Sequence, residues 1–143
     1  MRFVRFQSKA LFDPEVLAPE LADLDEDEQE AELEQGGRFV AALLEARLPE
    51  KGFPVDFTVQ EDWGWCISLK KDHGYSPWIG CQYGYDGRGD YSLQCFVEPD
   101  KPVIWRWFRR IDITERTAAL KQAIEDILRE SGLADDIYWS DKA

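Results

Sequence analysis

The sequence predicts an α+β fold: a single antiparallel sheet of about five strands in a meander, with N-terminal and C-terminal helices packed on it. Two observations carry this prediction. Apolar residues recur near a 3.6-residue period toward both ends of the chain. Between those stretches, five short runs rich in aromatic and β-branched residues are separated by turn residues. The connections are too short for parallel crossovers, so consecutive runs form hairpins.

Residues 2–8 read as a short first strand. Val4 and Phe6 fall on one face and Phe3 on the other. Asp13-Pro14-Glu15 marks a helix start, because Asp caps, Pro suits the first helical position and Glu suits the first turn. Pro19 ends or restarts that helix. Asp25 and Glu28 have the spacing of a capping box and open a helix that runs to about Leu48, where Pro49 stops it. Leu33, Val40 and Leu44, with Phe39 and Leu43, form its apolar stripe. Gly36-Gly37 interrupts that stripe. The pair either breaks the helix or lets another element approach its backbone closely.

The five expected strands are residues 53–59, 63–69, 78–85, 91–97 and 103–108. Alternation puts Trp63, Trp65, Ile67 and Leu69 on one face, Leu93, Cys95 and Val97 on one face, and Val103, Trp105 and Trp107 on one face. A second long helix follows, capped by Asp112 with Glu115 or by Thr114. Leu120, Ile124, Ile127 and Leu128 form its core stripe, and Gly132 is its C-cap. Ile137-Tyr138-Trp139 reads as a short final strand or a surface aromatic clamp.

At 143 residues the chain suits one domain, residues 1–143, with a real core. Hydrophobic residues make up 44% and charged residues 32%, a globular rather than disordered composition. The 17 Lys and Arg against 29 Asp and Glu give a net charge of −12, which disfavours nucleic acid and anionic membranes as partners. The charge is local: residues 13–34 hold eleven acids and no base, and the remainder carries 18 acids and 17 bases. No apolar run suits a signal peptide or a membrane span, so a cytoplasmic location is expected. Cys66, Cys81 and Cys95 lack close CxxC spacing and are expected to be reduced, mostly buried thiols.

Candidate chemistry is sparse. His73, the single histidine, sits in an expected loop tip, apart from the mid-strand cysteines, so neither a Cys-His pair nor a zinc site is expected. Glu61-Asp62 and Asp86 with Asp90 offer carboxylate pairs, but turns are rich in acids for ordinary hydrogen-bonding reasons. Gly84-Tyr85-Asp86-Gly87-Arg88-Gly89-Asp90 lacks the helix and the Lys of a phosphate loop and reads as a hairpin connection. Trp105-Arg106-Trp107-Phe108-Arg109-Arg110 mixes bases with aromatics. It could stack nucleobases, but the favoured reading is a half-buried strand whose arginines pair with the acidic segment. Six Trp, five Tyr and eight Phe exceed what a small core needs, so some face a binding surface or the core is unusually aromatic.

Glu61-Asp62-Trp63-Gly64-Trp65, a turn, then Trp78-Ile79-Gly80-Cys81, resembles small bacterial proteins that combine an acidic helix with an aromatic sheet. In size, acidity and build the chain also resembles the immunity proteins that neutralise bacterial toxins. That resemblance implies a protein-binding role and no catalytic residues. The expected function is therefore a non-enzymatic binding protein, an immunity-type inhibitor that blocks a basic toxin or nuclease. Asp25, Asp27, Glu28 and Glu32 would capture the basic partner, and Trp63, Trp65 and Trp78 would anchor it. No cofactor or metal is expected. Two alternatives stand: a small-molecule or peptide-binding module using an aromatic face of the sheet, and an enzyme with an unrecognised site.

Overall fold

A computed structural model describes residues 2–11, 22–85 and 91–141. The helix start expected at Asp13-Pro14 and residues 86–90 of the glycine-rich loop lie outside them. The described elements are β1 (Phe3–Gln7), α1 (Glu26–Arg47), a 3-10 turn (Leu48–Lys51), β2 (Val55–Glu61), β3 (Gly64–Leu69), β4 (Trp78–Tyr85), β5 (Tyr91–Glu98), β6 (Val103–Arg106), β7 (Arg109–Asp112), α2 (Thr114–Ser131) and β8 (Asp135–Ser140). The class is α+β. Six strands form one antiparallel sheet in the order β2-β3-β4-β5-β1-β8, and β6 and β7 form a second, two-stranded sheet.

The expected five-strand meander is thus corrected in two places. Four runs do form hairpins in sequence, β2 to β5. The sheet then continues through β1, which lies between β5 and β8. Long-range pairing of this kind carries no local signal; Phe3 pairs with Phe96 and Val4 with Trp139. The run 103–108 never joins this sheet. It stops at Arg106, turns, and pairs with residues 109–112.

Both helices lie on one face of the large sheet. Val4, Phe6, Ile67, Leu69, Ile79, Cys81, Leu93, Cys95 and Val97 point into this layer from the strands. Val40, Ala41 and Leu44 meet them from α1, and Leu120, Ile124, Ile127 and Leu128 from α2. Phe39, assigned to the apolar stripe, is instead exposed. The opposite face carries its own aromatic cluster. Phe96 meets Phe3, Trp63 and Trp78 at ring-centroid separations of 5.5–5.8 Å, and Arg2, ion-paired to Glu98, lies over Phe3 and Phe96. Gly80 makes room for the Phe96 ring, which would touch any Cβ placed there. No helix among the described residues is long and apolar enough to cross a membrane.

Local signals explain the helix ends. The Asp25 side chain accepts from the Glu28 N–H at 2.8 Å, and Glu28 returns the bond to the Asp25 N–H. In α2 no side chain caps from position 113. Asp112 Oδ1 instead accepts the Thr114 N–H at 2.9 Å. That bond, with one from the Thr114 side chain and the Arg110 charge, holds the Asp112 carboxyl below its ordinary pKa. Gly132 ends the helix in the left-handed region at φ 69°.

The Gly36-Gly37 pair does not break α1. A Cβ at Gly37 would lie 2.6 Å from the Cys81 carbonyl oxygen, so the glycine lets the helix press directly on β4. In an ordinary helix interior Gly→Ala gains about 0.5–1 kcal/mol. Here the obstacle is backbone and cannot rotate away. Gly37→Ala is therefore expected to destabilise by about 1–2 kcal/mol, an overpacking penalty measurable as a lower urea midpoint. A higher midpoint would mean that the helix stands off the sheet.

Candidate binding arm

The second sheet is an arm. Its register pairs Val103 with Asp112, Ile104 with Ile111, Trp105 with Arg110 and Arg106 with Arg109. That leaves a two-residue connection, Trp107-Phe108, with φ of 50° and 65°. Positive φ at both central residues matches the right-handed twist of a tight hairpin, and Asn-Gly is its favoured occupant. Two bulky aromatics here cost roughly 1–2 kcal/mol each relative to a residue at home in that region. Nothing packs against them in return: Trp107 is 95% and Phe108 100% exposed, and Trp105 is 63% exposed.

A two-stranded hairpin is marginal alone, so the base of this arm must be held. Ile104 and Ile113 are buried with Tyr75, and Ile111 packs against them. The Ile113 N–H donates to the Pro102 carbonyl at 2.8 Å, and the Tyr75 and Thr117 hydroxyls share a 2.9 Å hydrogen bond. Gly74, at φ 82°, is the place where the 72–75 loop touches the arm; a Cβ there would sit 2.8 Å from Ile111 Cδ1. The arm is thus anchored at its root and bare at its tip. Arg106, Arg109 and Arg110 flank the tip. No ion pair holds them among the described residues; residues 12–21 and several α1 side chains of the acidic segment they were expected to pair with lie outside those residues. In a chain of net charge −12, three arginines outside any ion pair among the described residues, beside three exposed aromatics, are a local reversal of character.

The anticipated site residues are spread over different parts of the molecule. Asp25 and Glu28 are engaged in the capping box, and Asp27 is exposed in the same first turn. The side chain of Glu32 lies outside the described residues. Trp63 and Trp78 join the aromatic cluster opposite the helices, whereas Trp65 packs against the core on the helical face with Arg38 5.9 Å from its ring. Trp63 was expected on the Trp65 face. It belongs instead to the two-residue turn between Glu61 and Gly64, where strand alternation no longer applies. Sequence reading registered the 105–110 stretch but placed Trp107 in a strand. The overlooked signal is its mirror symmetry: Ile104 and Ile111, then Arg106 and Arg109, stand equidistant from the Trp107-Phe108 centre.

His73 occupies the loop tip, as expected. Its Nδ1 lies 2.5 Å from Asp72 Oδ1 and 3.1 Å from an Arg116 nitrogen, and none of the thiols is among these partners. Cys81 and Cys95 are a cross-strand pair with sulfurs 3.8 Å apart, both buried. Burial pushes the Cys81 thiol well up, reinforced by its contact with Cys95, and burial also raises Cys66. A thiol raised in this way needs a higher pH to become the reactive thiolate. A disulfide-exchange reagent at neutral pH is expected to label Cys66 slowly and the other two only on unfolding. Rapid native labelling of Cys81 or Cys95 would contradict their burial.

The chain matches no protein-family model, no curated protein and no solved structure.

Proposed function

We propose that this chain is a non-enzymatic binding protein of the immunity type, which docks by inserting the β6–β7 arm into an apolar cleft of a partner protein. The exposure of Trp107 and Phe108 at strained positions carries this reading. Folding alone favours Asn-Gly there, so the aromatics answer to something outside the fold. Trp and Arg are the residues that most often dominate binding energy at interfaces. The arginines fit acidic groups bordering the cleft. The acidic start of α1 would meet basic parts of the same partner, so that two elements of opposite charge fix its orientation.

Two measurements test this. A photo-crosslinking residue at position 107 is expected to capture the partner, and the same residue at exposed Arg129 is not. Equal capture at both positions would overturn the reading. So would co-sedimentation with anionic vesicles through the arm, which would make it a membrane element. Charge steering has its own variant. Neutralising Glu26 and Asp27 is expected to slow association and flatten its salt dependence, at a stability loss of no more than about 1 kcal/mol from the helix dipole. Adding Asp25→Asn and Glu28→Gln would also weaken the helix cap by about 1 kcal/mol, so stability loss and slower binding must be scored separately in stopped-flow and unfolding experiments.

A further inference from the structure

The loop at the base of the arm also walls a cavity of about 440 Å³, within the range of small-molecule sites. Two prolines shape it. The end of β3 is held from both sides, the Lys70 N–H donating to the Pro54 carbonyl and the Leu69 N–H to the Pro77 carbonyl, each at 3.0 Å. Between these contacts Phe53 and Pro54 offer apolar surface, and Gly52 enters in the left-handed region at φ 90° with open space where a side chain would project.

The charged lining is one-sided. Lys70, Lys71 and Arg116 bring three cations, and Asp72 is the single acid among the described lining residues. That acid is already engaged, 2.5 Å from His73 and 3.5 Å from Arg116. Arg116 is spent locally as well, donating to the Asp72 carbonyl at 2.7 Å. The Tyr75 hydroxyl is satisfied by Thr117. Lys70 and Lys71 are different: both are exposed, and neither takes part in an ion pair among the described residues. A strongly acidic chain thus keeps two uncommitted ammonium groups beside an apolar hollow, where low-dielectric walls focus their field.

We infer that this cavity binds a small organic anion: an apolar body resting on Phe53 and Pro54, with one anionic head drawn to Lys70 and Lys71. Arg116 adds to the field and keeps the 72–75 loop in place. The site is separate from the tip of the arm and does not depend on the arm's having a protein partner.

The probes are phenylacetate and its neutral isostere, phenylacetamide, titrated while backbone amide resonances are followed by NMR. Phenylacetate is expected to shift Gly52, Leu69, Lys70 and Tyr75 in a saturable way, and phenylacetamide to bind at least about tenfold more weakly. K70Q/K71Q, which changes only exposed side chains, is expected to abolish that preference while the remaining spectrum keeps its native dispersion. Equal affinity for acid and amide, retention of the preference in K70Q/K71Q, shifts confined to the arm, or no shift at these residues would each overturn the inference.

Discussion

Replacing Trp107-Phe108 by Asn-Gly is expected to make the protein more stable and much less able to bind. Both residues hold positive φ and bury nothing. Asn and Gly adopt that backbone at little cost, so W107N/F108G should gain about 2–4 kcal/mol in stability. The same change removes two anchors of the kind whose truncation costs about 2 kcal/mol or more each. Since such losses do not simply add, a drop in affinity of at least about a hundredfold is expected. Chemical denaturation and a binding titration on one preparation read both effects. A destabilised variant would mean that the tip packs against the protein, and an unchanged affinity would mean that the arm is not the docking element. Opposite movement of stability and binding is the signature of a residue kept for function.

The second large effect is expected in the core. Ile124 is fully buried on α2, in the layer shared by both helices and the sheet. Ile124→Ala removes methyl and methylene groups from a close-packed site and leaves a void, at a cost of about 2–5 kcal/mol. In a chain of this size each kcal/mol lowers the melting temperature by about 2–4 °C. Arg129→Ala, on the exposed side of the same helix, should stay within about 0.5 kcal/mol. Because α2 also carries Thr117, the partner of Tyr75 beneath the arm, Ile124→Ala should loosen the arm's base, seen as faster amide exchange at Ile111 and Ile113. A small loss would show that the helix is held mainly from elsewhere.

What the sequence revealed and what it concealed follow from the range of the forces involved. The capping box at Asp25 and Glu28, the Leu120-Ile124-Ile127-Leu128 stripe and the Gly132 cap are local, and each is found where its spacing puts it. The hairpins from β2 to β5 are local too. The insertion of β1 between β5 and β8 is not, because which strands pair depends on surfaces distant in sequence. Gly37 shows a middle case: its two readings were both legible, and only the proximity of the Cys81 carbonyl decides between them. The arm eluded prediction for a different reason. Two-residue alternation is the same in one long strand and in two short ones, and the residues that usually announce a tight turn are absent at 107–108. The cavity was hidden because Lys70, Lys71 and Arg116 are ordinary surface cations until folding gathers them.

The position of β1 bears on how the protein is made. Its backbone bonds reach β5 on one side and β8 on the other, so β1 is translated well before both of its partners. Through most of synthesis Phe3, Val4 and Phe6 have no sheet to enter. The hairpins β2 to β5 can assemble meanwhile, and their edge at β5 remains open for a partner already translated. A chain halted before β8 would therefore present an unpaired strand edge together with an apolar one, a combination that invites aggregation or chaperone capture. Only the synthesis of β8 closes that edge of β1.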